Sequence, residues 1–253
     1  MDNEYKNNSF KIVNDLVSKS ERQILQNQLL KIANNLGADF NFDDVDKMWN
    51  YFKKENRKLG GAVYNGFKYL PIINQIAHSE NMHKNLKKVC GIDNPALVDV
   101  NCRIDSSGEE KFLFDWHQDY WFSVSSTKAA VVWMPISGLN PSIGGLEIIS
   151  SHQKNIKTYK TKQGTKYDSY ADAFLIDDVI PYEDVKIIDQ MDAGSALFFS
   201  FSSLHKSLPV LSKDKSRFTI QFRFADFDDK EFINNHYRPG QVTKESVVKS
   251  ETK

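Results

Sequence analysis

Ser216-Arg-Phe-Thr-Ile-Gln-Phe-Arg-Phe224 is the stretch on which the architecture turns. Phe218, Ile220, Phe222 and Phe224 alternate with Arg217, Thr219, Gln221 and Arg223. A period of two gives one apolar and one polar face only if the chain is extended. A face this polar has two explanations: exposure to solvent, or the lining of a barrel with a polar interior. Upstream, Val98, Val100, Cys102 and Ile104 alternate with Asp99, Asn101 and Arg103 in the same way. Further strands are expected near 113–119, 129–135, 145–149, 185–190 and 195–201, separated by turn-rich segments such as Asn140-Pro-Ser-Ile-Gly-Gly145.

Before Leu97 the period is helical. Ile12 and Leu16, then Ile24, Leu25, Leu29, Ile32 and Leu36, recur at helical spacing, with Gly37 as a stop. Asp43-Asp44 opens a helix containing Met48, Trp49 and Phe52, and Pro71 opens another through Ile72 and Ile76 towards Val89. Gly60-Gly61 and Gly66 read as punctuation between them. The expected organisation is one domain over 1–253: helical support over 1–96, a β core over 97–227 and a flexible tail over 240–253.

Lys+Arg 33 against Asp+Glu 33 leaves no formal net charge, so no global field draws the chain to nucleic acid or an anionic membrane. Cys90 and Cys102 are too few for a disulfide framework, and with no secretory signal or apolar span the expectation is a cytoplasmic chain with reduced thiols. Lysines outnumber the six arginines heavily, which makes each arginine's position informative.

His117-Gln118-Asp119 is common enough by chance to be weak alone, but on a strand residues i and i+2 share a face and can reach one ion. His78-Ser79-Glu80 has the same spacing on an expected helix, where the two side chains diverge; His78 and His83 read as surface residues. Two histidines and one carboxylate on one face of Fe(II) leave positions for a chelating cosubstrate and dioxygen. His205, at the end of the apolar run Ser195–Phe201 and before Pro209, is the candidate third ligand. Twelve residues on, Arg217 and Thr219 share a strand face suited to a carboxylate. Fe(II), one aspartate and dianionic 2-oxoglutarate leave one uncompensated negative charge, which Arg217 would balance; an exposed strand arginine is the alternative.

These residues fall in an ordered set: Phe114-Asp-Trp-His-Gln-Asp-Tyr120, Val131-Val-Trp-Met-Pro-Ile136, Gly144-Gly-Leu-Glu-Ile-Ile-Ser-Ser-His-Gln-Lys154, Asp192-Ala-Gly-Ser-Ala-Leu-Phe198, His205 and Arg217. In this order the chain resembles the phytanoyl-CoA dioxygenase family of Fe(II)/2-oxoglutarate oxygenases from about Leu97 to Phe227. The resemblance implies a mainly β double-stranded β-helix, or jelly-roll, cupin-like core. It implies iron on His117, Asp119 and His205, the distal carboxylate of 2-oxoglutarate on Arg217, and Trp133, Ser207 and Thr219 lining that site. The reaction implied consumes 2-oxoglutarate and dioxygen, releases succinate and carbon dioxide, and hydroxylates a substrate. Retention of Asp119, which halogenating relatives replace, favours hydroxylation or a related oxidation. Ser150-Ser-His-Gln-Lys154 lacks the Pro and Gly usual at that place in the family.

Asn101, Arg103, Gln221 and Arg223, with Tyr120 and Trp121, are expected to face the same cavity and to suit a polar or anionic small-molecule or carrier-linked substrate. The lysine-rich segment 153–184 is long enough for a lid, or for a plain solvated loop. Two other classes stay open: a cupin-like isomerase or epimerase, and a non-catalytic metal- or ligand-binding member of the fold.

Overall fold

The computed structural model describes residues 1–36, 41–121, 126, 128–150, 161–162, 175–176 and 182–238. Gly37, His152, most of the expected lid and the tail from 239 lie outside the described residues.

Chain order begins with helix α1 (Asn3–Asn8), capped by the Asp2 carboxylate and ended by Ser9 in the left-handed region, and strand β1 (Phe10–Val13). Here the helical expectation fails. Phe10–Val13 pairs antiparallel with a later strand, and Ile12 and Leu16 fall on no common helix. Two apolar residues four apart do not specify a helix when a sheet edge satisfies the backbone. Helices α2 (Lys19–Asn34), α3 (Val45–Glu55), α4 (Arg57–Phe67), α5 (Pro71–Ala77) and α6 (Glu80–Asn85) follow. Ser18 and Glu21 form a capping box on α2, and Asp44 caps α3. The glycines expected to separate helices lie inside α4 instead. A Cβ on Gly60 would stand 3.1 Å from that of Phe52, and one on Gly66 2.9 Å from Ile32, so these glycines let α4 approach its neighbours. The helix expected from Pro71 to Val89 is broken: α5 stops at His78, Ser79 caps α6, and Leu86–Cys90 forms a π turn ended by Gly91 at positive φ.

The strands are β2 (Pro95–Ser106), β3 (Ala130–Pro135), β4 (Leu146–Ile149), β5 (Thr161–Lys162), β6 (Leu175–Ile176), β7 (Val185–Ile188), β8 (Ala196–Ser200), β9 (His205–Ser207) and β10 (Ser216–Asp226), with α7 (Lys230–Asn234) after them. One sheet runs β1-β8-β3-β10-β2, a second runs β7-β4-β9, and all their pairings are antiparallel. Among the described residues β5 pairs only with β6. This is the jelly-roll arrangement, with the helices laid over the outside of the larger sheet.

Two apolar layers explain the sequence patterns. Phe218, Ile220, Phe222 and Phe224 of β10 pack with Cys102, Ile104, Val132 and Phe198 against Trp49, Phe52, Phe67 and Ile73 of the helices. Val131, Trp133, Leu197 and Phe199 on the opposite face pack with Leu146, Ile148 and Ile188 of the smaller sheet. The larger sheet is therefore covered on both sides, and its inner strand β3 is buried at all six positions. The polar face of β10 is barrel interior: Arg217 is 2% and Thr219 1% exposed. The register corrects one residue of β2. A bulge between the pairs Arg223–Asp99 and Phe224–Leu97 puts Val98 in the inner layer, and Leu97 continues the apolar face in its place.

Candidate metal and cosubstrate site

Antiparallel pairing brings the two histidines together. His117 and His205 exchange backbone hydrogen bonds of 3.0 and 3.1 Å as an isolated bridge that extends the edge of β9, and their ring centroids are 4.2 Å apart. The continuous strand expected over 113–119 is absent. Glu110–Phe112 is a 3-10 turn, His117 a single bridge, and Asp119–Trp121 a second 3-10 turn. The spacing still works because Gln118 points elsewhere, its amide donating to the Ser202 carbonyl at 2.6 Å. The Tyr120 N–H, donating to the Phe201 carbonyl at 2.9 Å, ties down the turn that carries Asp119.

Each imidazole uses Nδ1 in the same way. His117 Nδ1 lies 2.7 Å from the Asp115 carbonyl and His205 Nδ1 3.0 Å from the Ser203 carbonyl, in both cases two residues upstream. A carbonyl only accepts, so Nδ1 carries the hydrogen and Nε2 presents a lone pair. Burial, reinforced by neighbouring His205, pushes the His117 imidazole down to about 3, and burial also lowers His205. Both rings are neutral at physiological pH. Burial works against the charge on Asp119, yet the Arg223 guanidinium beside it holds its carboxyl below the ordinary value. Two neutral imidazoles and an anionic carboxylate are the donor set that a divalent ion such as Fe(II) accepts. The set is gathered and not closed: His205 Nε2 is 3.8 Å from Asp119 Oδ2, and among the described residues no three such side chains already enclose one point.

The second half of the site is the inward face of β10 against β2. In register, Arg217 faces Asp105, Thr219 faces Arg103, Gln221 faces Asn101 and Arg223 faces Asp99. Arg217 donates through Nη2 to Asp105 Oδ2 at 3.0 Å, and through Nη1 to the carbonyls of Leu208 at 2.9 Å and of Ile143 and Gly145 at 3.3 Å. Its Nε and the Thr219 hydroxyl are buried without a hydrogen-bond partner. Trp133 lies beside them, its ring 6.0 Å from the guanidinium carbon of Arg217. Unpaired donors at this depth are costly, and they share one strand face. They fit a carboxylate bound from the barrel interior.

Sequence reasoning missed Asp105. Its carboxylate also accepts from Arg103 Nη2 at 2.8 Å, and the two arginines outweigh burial to hold it below the ordinary carboxylate range. The clue was present: polar residues alternating on β2 and β10 become complementary charges when the strands are laid antiparallel. Three arginines thus meet three aspartates: Arg103 and Arg217 share Asp105, and Arg223 bridges Asp99 and Asp119. Of the residues expected to meet substrate, Arg103 and Arg223 are therefore committed to carboxylates. Asn101, Gln221 and Tyr120 are half-buried, while the Trp121 side chain lies outside the described residues. Ser207 is half-buried on β9, its N–H donating to the Phe114 carbonyl at 3.0 Å. His78 and His83 stand apart from this site on the helical side, their rings 6.2 Å from each other.

No curated protein matches the sequence. Among solved structures the chain is similar to ThoJ, a non-heme monooxygenase in its apo form, at 15% identity and a TM-score of 0.60, covering 88% of this chain and 76% of ThoJ. It is similar to EctD from S. alaskensis, solved with 2-oxoglutarate and 5-hydroxyectoine, at 10% identity and a TM-score of 0.57, covering 89% and 75%. It is also similar to the epimerase SnoN, solved with Fe3+, alpha ketoglutarate and nogalamycin RO, at 14% identity and a TM-score of 0.52, covering 88% and 81%. At these identities the shared property is the fold. The sequence itself carries the assignment: with residues 9–219 matched, the chain belongs to the phytanoyl-CoA dioxygenase (PhyH) family of 2-oxoglutarate-dependent non-haem iron oxygenases.

Proposed function

We propose that this protein is an Fe(II)- and 2-oxoglutarate-dependent dioxygenase that hydroxylates a polar small molecule or carrier-linked metabolite. The observation that carries the reading is the pairing of two half-sites in one barrel. One presents two Nε2 lone pairs beside an anionic carboxylate; the other presents buried donors without partners on Arg217 and Thr219. When bound, iron and 2-oxoglutarate supply the oxidising chemistry with dioxygen. His117, Asp119 and His205 would hold the metal, and Arg217 with Thr219 would fix the distal carboxylate of the cosubstrate. Trp133 walls the cosubstrate side, and the buried interior keeps bulk water from the reacting groups. Formal neutrality supports a small molecule over nucleic acid as substrate, and no helix among the described residues is long and apolar enough to cross a membrane.

The test is formation of succinate from 2-oxoglutarate by the Fe(II)-loaded protein, with and without candidate substrates. Turnover is expected for the natural chain and is expected to vanish in His117→Ala and His205→Ala. Turnover that survives both substitutions would remove the metal assignment. SnoN, an epimerase solved with iron and alpha ketoglutarate, makes epimerisation the second reading. Transfer of label from 18O2 into product separates the two, since an epimer retains no new oxygen.

A further inference from the structure

Arg223 was expected to face substrate, and its surroundings point elsewhere. Nη1 donates to Asp99 Oδ2 at 2.8 Å, while Nη2 donates to Asp119 Oδ1 at 2.9 Å and to Gln221 Oε1 at 3.1 Å. Both ends of the fork are in use, and the charge is opposed by a carboxylate on each side. Asp119 is buried and Asp99 half-exposed, so the guanidinium links the protein surface to the candidate iron ligand. Only a planar fork spans two carboxylates in this way.

We infer that Arg223 is a positioning residue for Asp119: it occupies Oδ1, so that Oδ2 alone is presented to the metal, with Asp99 as its outer anchor. The inference rests on the metal-site reading above. A free carboxylate can chelate an ion through both oxygens and use a further coordination position. The Nη2 bond to Oδ1 prevents this, and Oδ2 is the oxygen on the His205 side. The bulge beside the Arg223–Asp99 pair is consistent with the role, since bulges re-aim side chains next to active sites. Partners that orient a metal ligand set its affinity as well as its geometry.

The experiment uses the full chain with Mn(II), its free fraction followed by electron paramagnetic resonance and its bound water counted by proton relaxation. Arg223→Met is expected to weaken Mn(II) binding about 10- to 100-fold, the usual cost of losing such a partner. It is also expected to lower the number of metal-bound waters, because Oδ1 becomes free to coordinate. Arg223→Lys should weaken binding too, since an ammonium reaches one carboxylate and not both. If Arg223→Met does not fold, Asp99→Asn at the half-exposed end serves instead, and should weaken binding several-fold with an unchanged melting temperature. Binding as tight as the natural chain's, or tighter, in Arg223→Met or Asp99→Asn overturns the inference, as does an unchanged water count in Arg223→Met. A purely structural role would lower the melting temperature and leave the water count alone. Loss of Mn(II) binding in His117→Ala with His205→Ala, alongside indifference to Arg223 and Asp99, defeats this inference alone. Absence of Mn(II) binding by the natural chain, or its persistence without both histidines, defeats the metal-site reading itself.

Discussion

Thr219 offers the cleanest single-residue test, because its buried hydroxyl has no partner to lose. Thr219→Val removes an unsatisfied polar atom from the interior, so the melting temperature should hold or rise. If the hydroxyl binds the distal carboxylate of 2-oxoglutarate, affinity for the cosubstrate should fall about 2- to 10-fold, one neutral hydrogen bond's worth. Arg217→Lys should lose roughly 10- to 100-fold, since the planar fork and its charge-assisted bond go together. It should also melt lower, because the carbonyls of Ile143, Gly145 and Leu208 lose their common donor. Titration of the metal-to-cosubstrate absorbance under anaerobic conditions measures both. Equal affinity in Thr219→Val and the natural chain would place the carboxylate elsewhere on the strand.

Between β3 and β4 the turn at Gly144-Gly145 runs tight against the end of β7 and the β9–β10 connection. Gly144 has φ +64, and a Cβ there would collide with the Pro209 carbonyl oxygen and stand 3.3 Å from Arg217 Nη1. At Gly145 a Cβ would run into the Ile188 carbonyl oxygen. Backbone offers no rotamer with which to give way, so Gly145→Ala should cost at least the ~1–3 kcal/mol typical of overpacking. Gly144→Ala adds strain from its dihedral angle and should displace the arginine. The check is chemical denaturation of both variants beside Gly61→Ala, whose Cβ would meet nothing within 4 Å. Gly145→Ala as stable as Gly61→Ala would mean that the start of β4 does not lie against the end of β7 as described.

At the scale of the whole molecule, stability depends on pH from both sides. Burial lowers His205 and lowers His117 to about 3, so the folded protein binds fewer protons than the unfolded chain once pH falls below their ordinary 6.5. Stability must then decline as pH drops from 6.5 towards 3. Asp105 adds to this at lower pH, since its folded value lies below 3.8. On the alkaline side, burial pushes Cys90 up to about 12, and burial with Cys90 raises Tyr5, which docks α1 on the π turn. The folded state there retains protons that the unfolded chain releases, so the contribution is full below 9 and is lost as pH rises towards 12. Thermal melts of metal-free protein should therefore show a plateau between about 6.5 and 9. A melting temperature flat from pH 7 to 4 would contradict the burial of the histidines.

Local chemistry by itself determined a great deal here. The alternation in β2 and β10, the helix start at Asp44, and the spacing of His117, Asp119, His205 and Arg217 are legible because each depends on near neighbours or on an ordered motif. What only the tertiary structure decided depends on partners far along the chain. Phe10–Val13 is a strand because β8, almost two hundred residues later, offers an edge. Gly60 and Gly66 lie inside a helix whose packing brings Phe52 and Ile32 close against them. The polar face of β10 is interior because a second sheet closes over it, and only the register then turns its arginines into partners of Asp99, Asp105 and Asp119. Charge pairing is short-ranged in space and indifferent to sequence distance, so the pattern could show that the cations existed but not which anions they would meet.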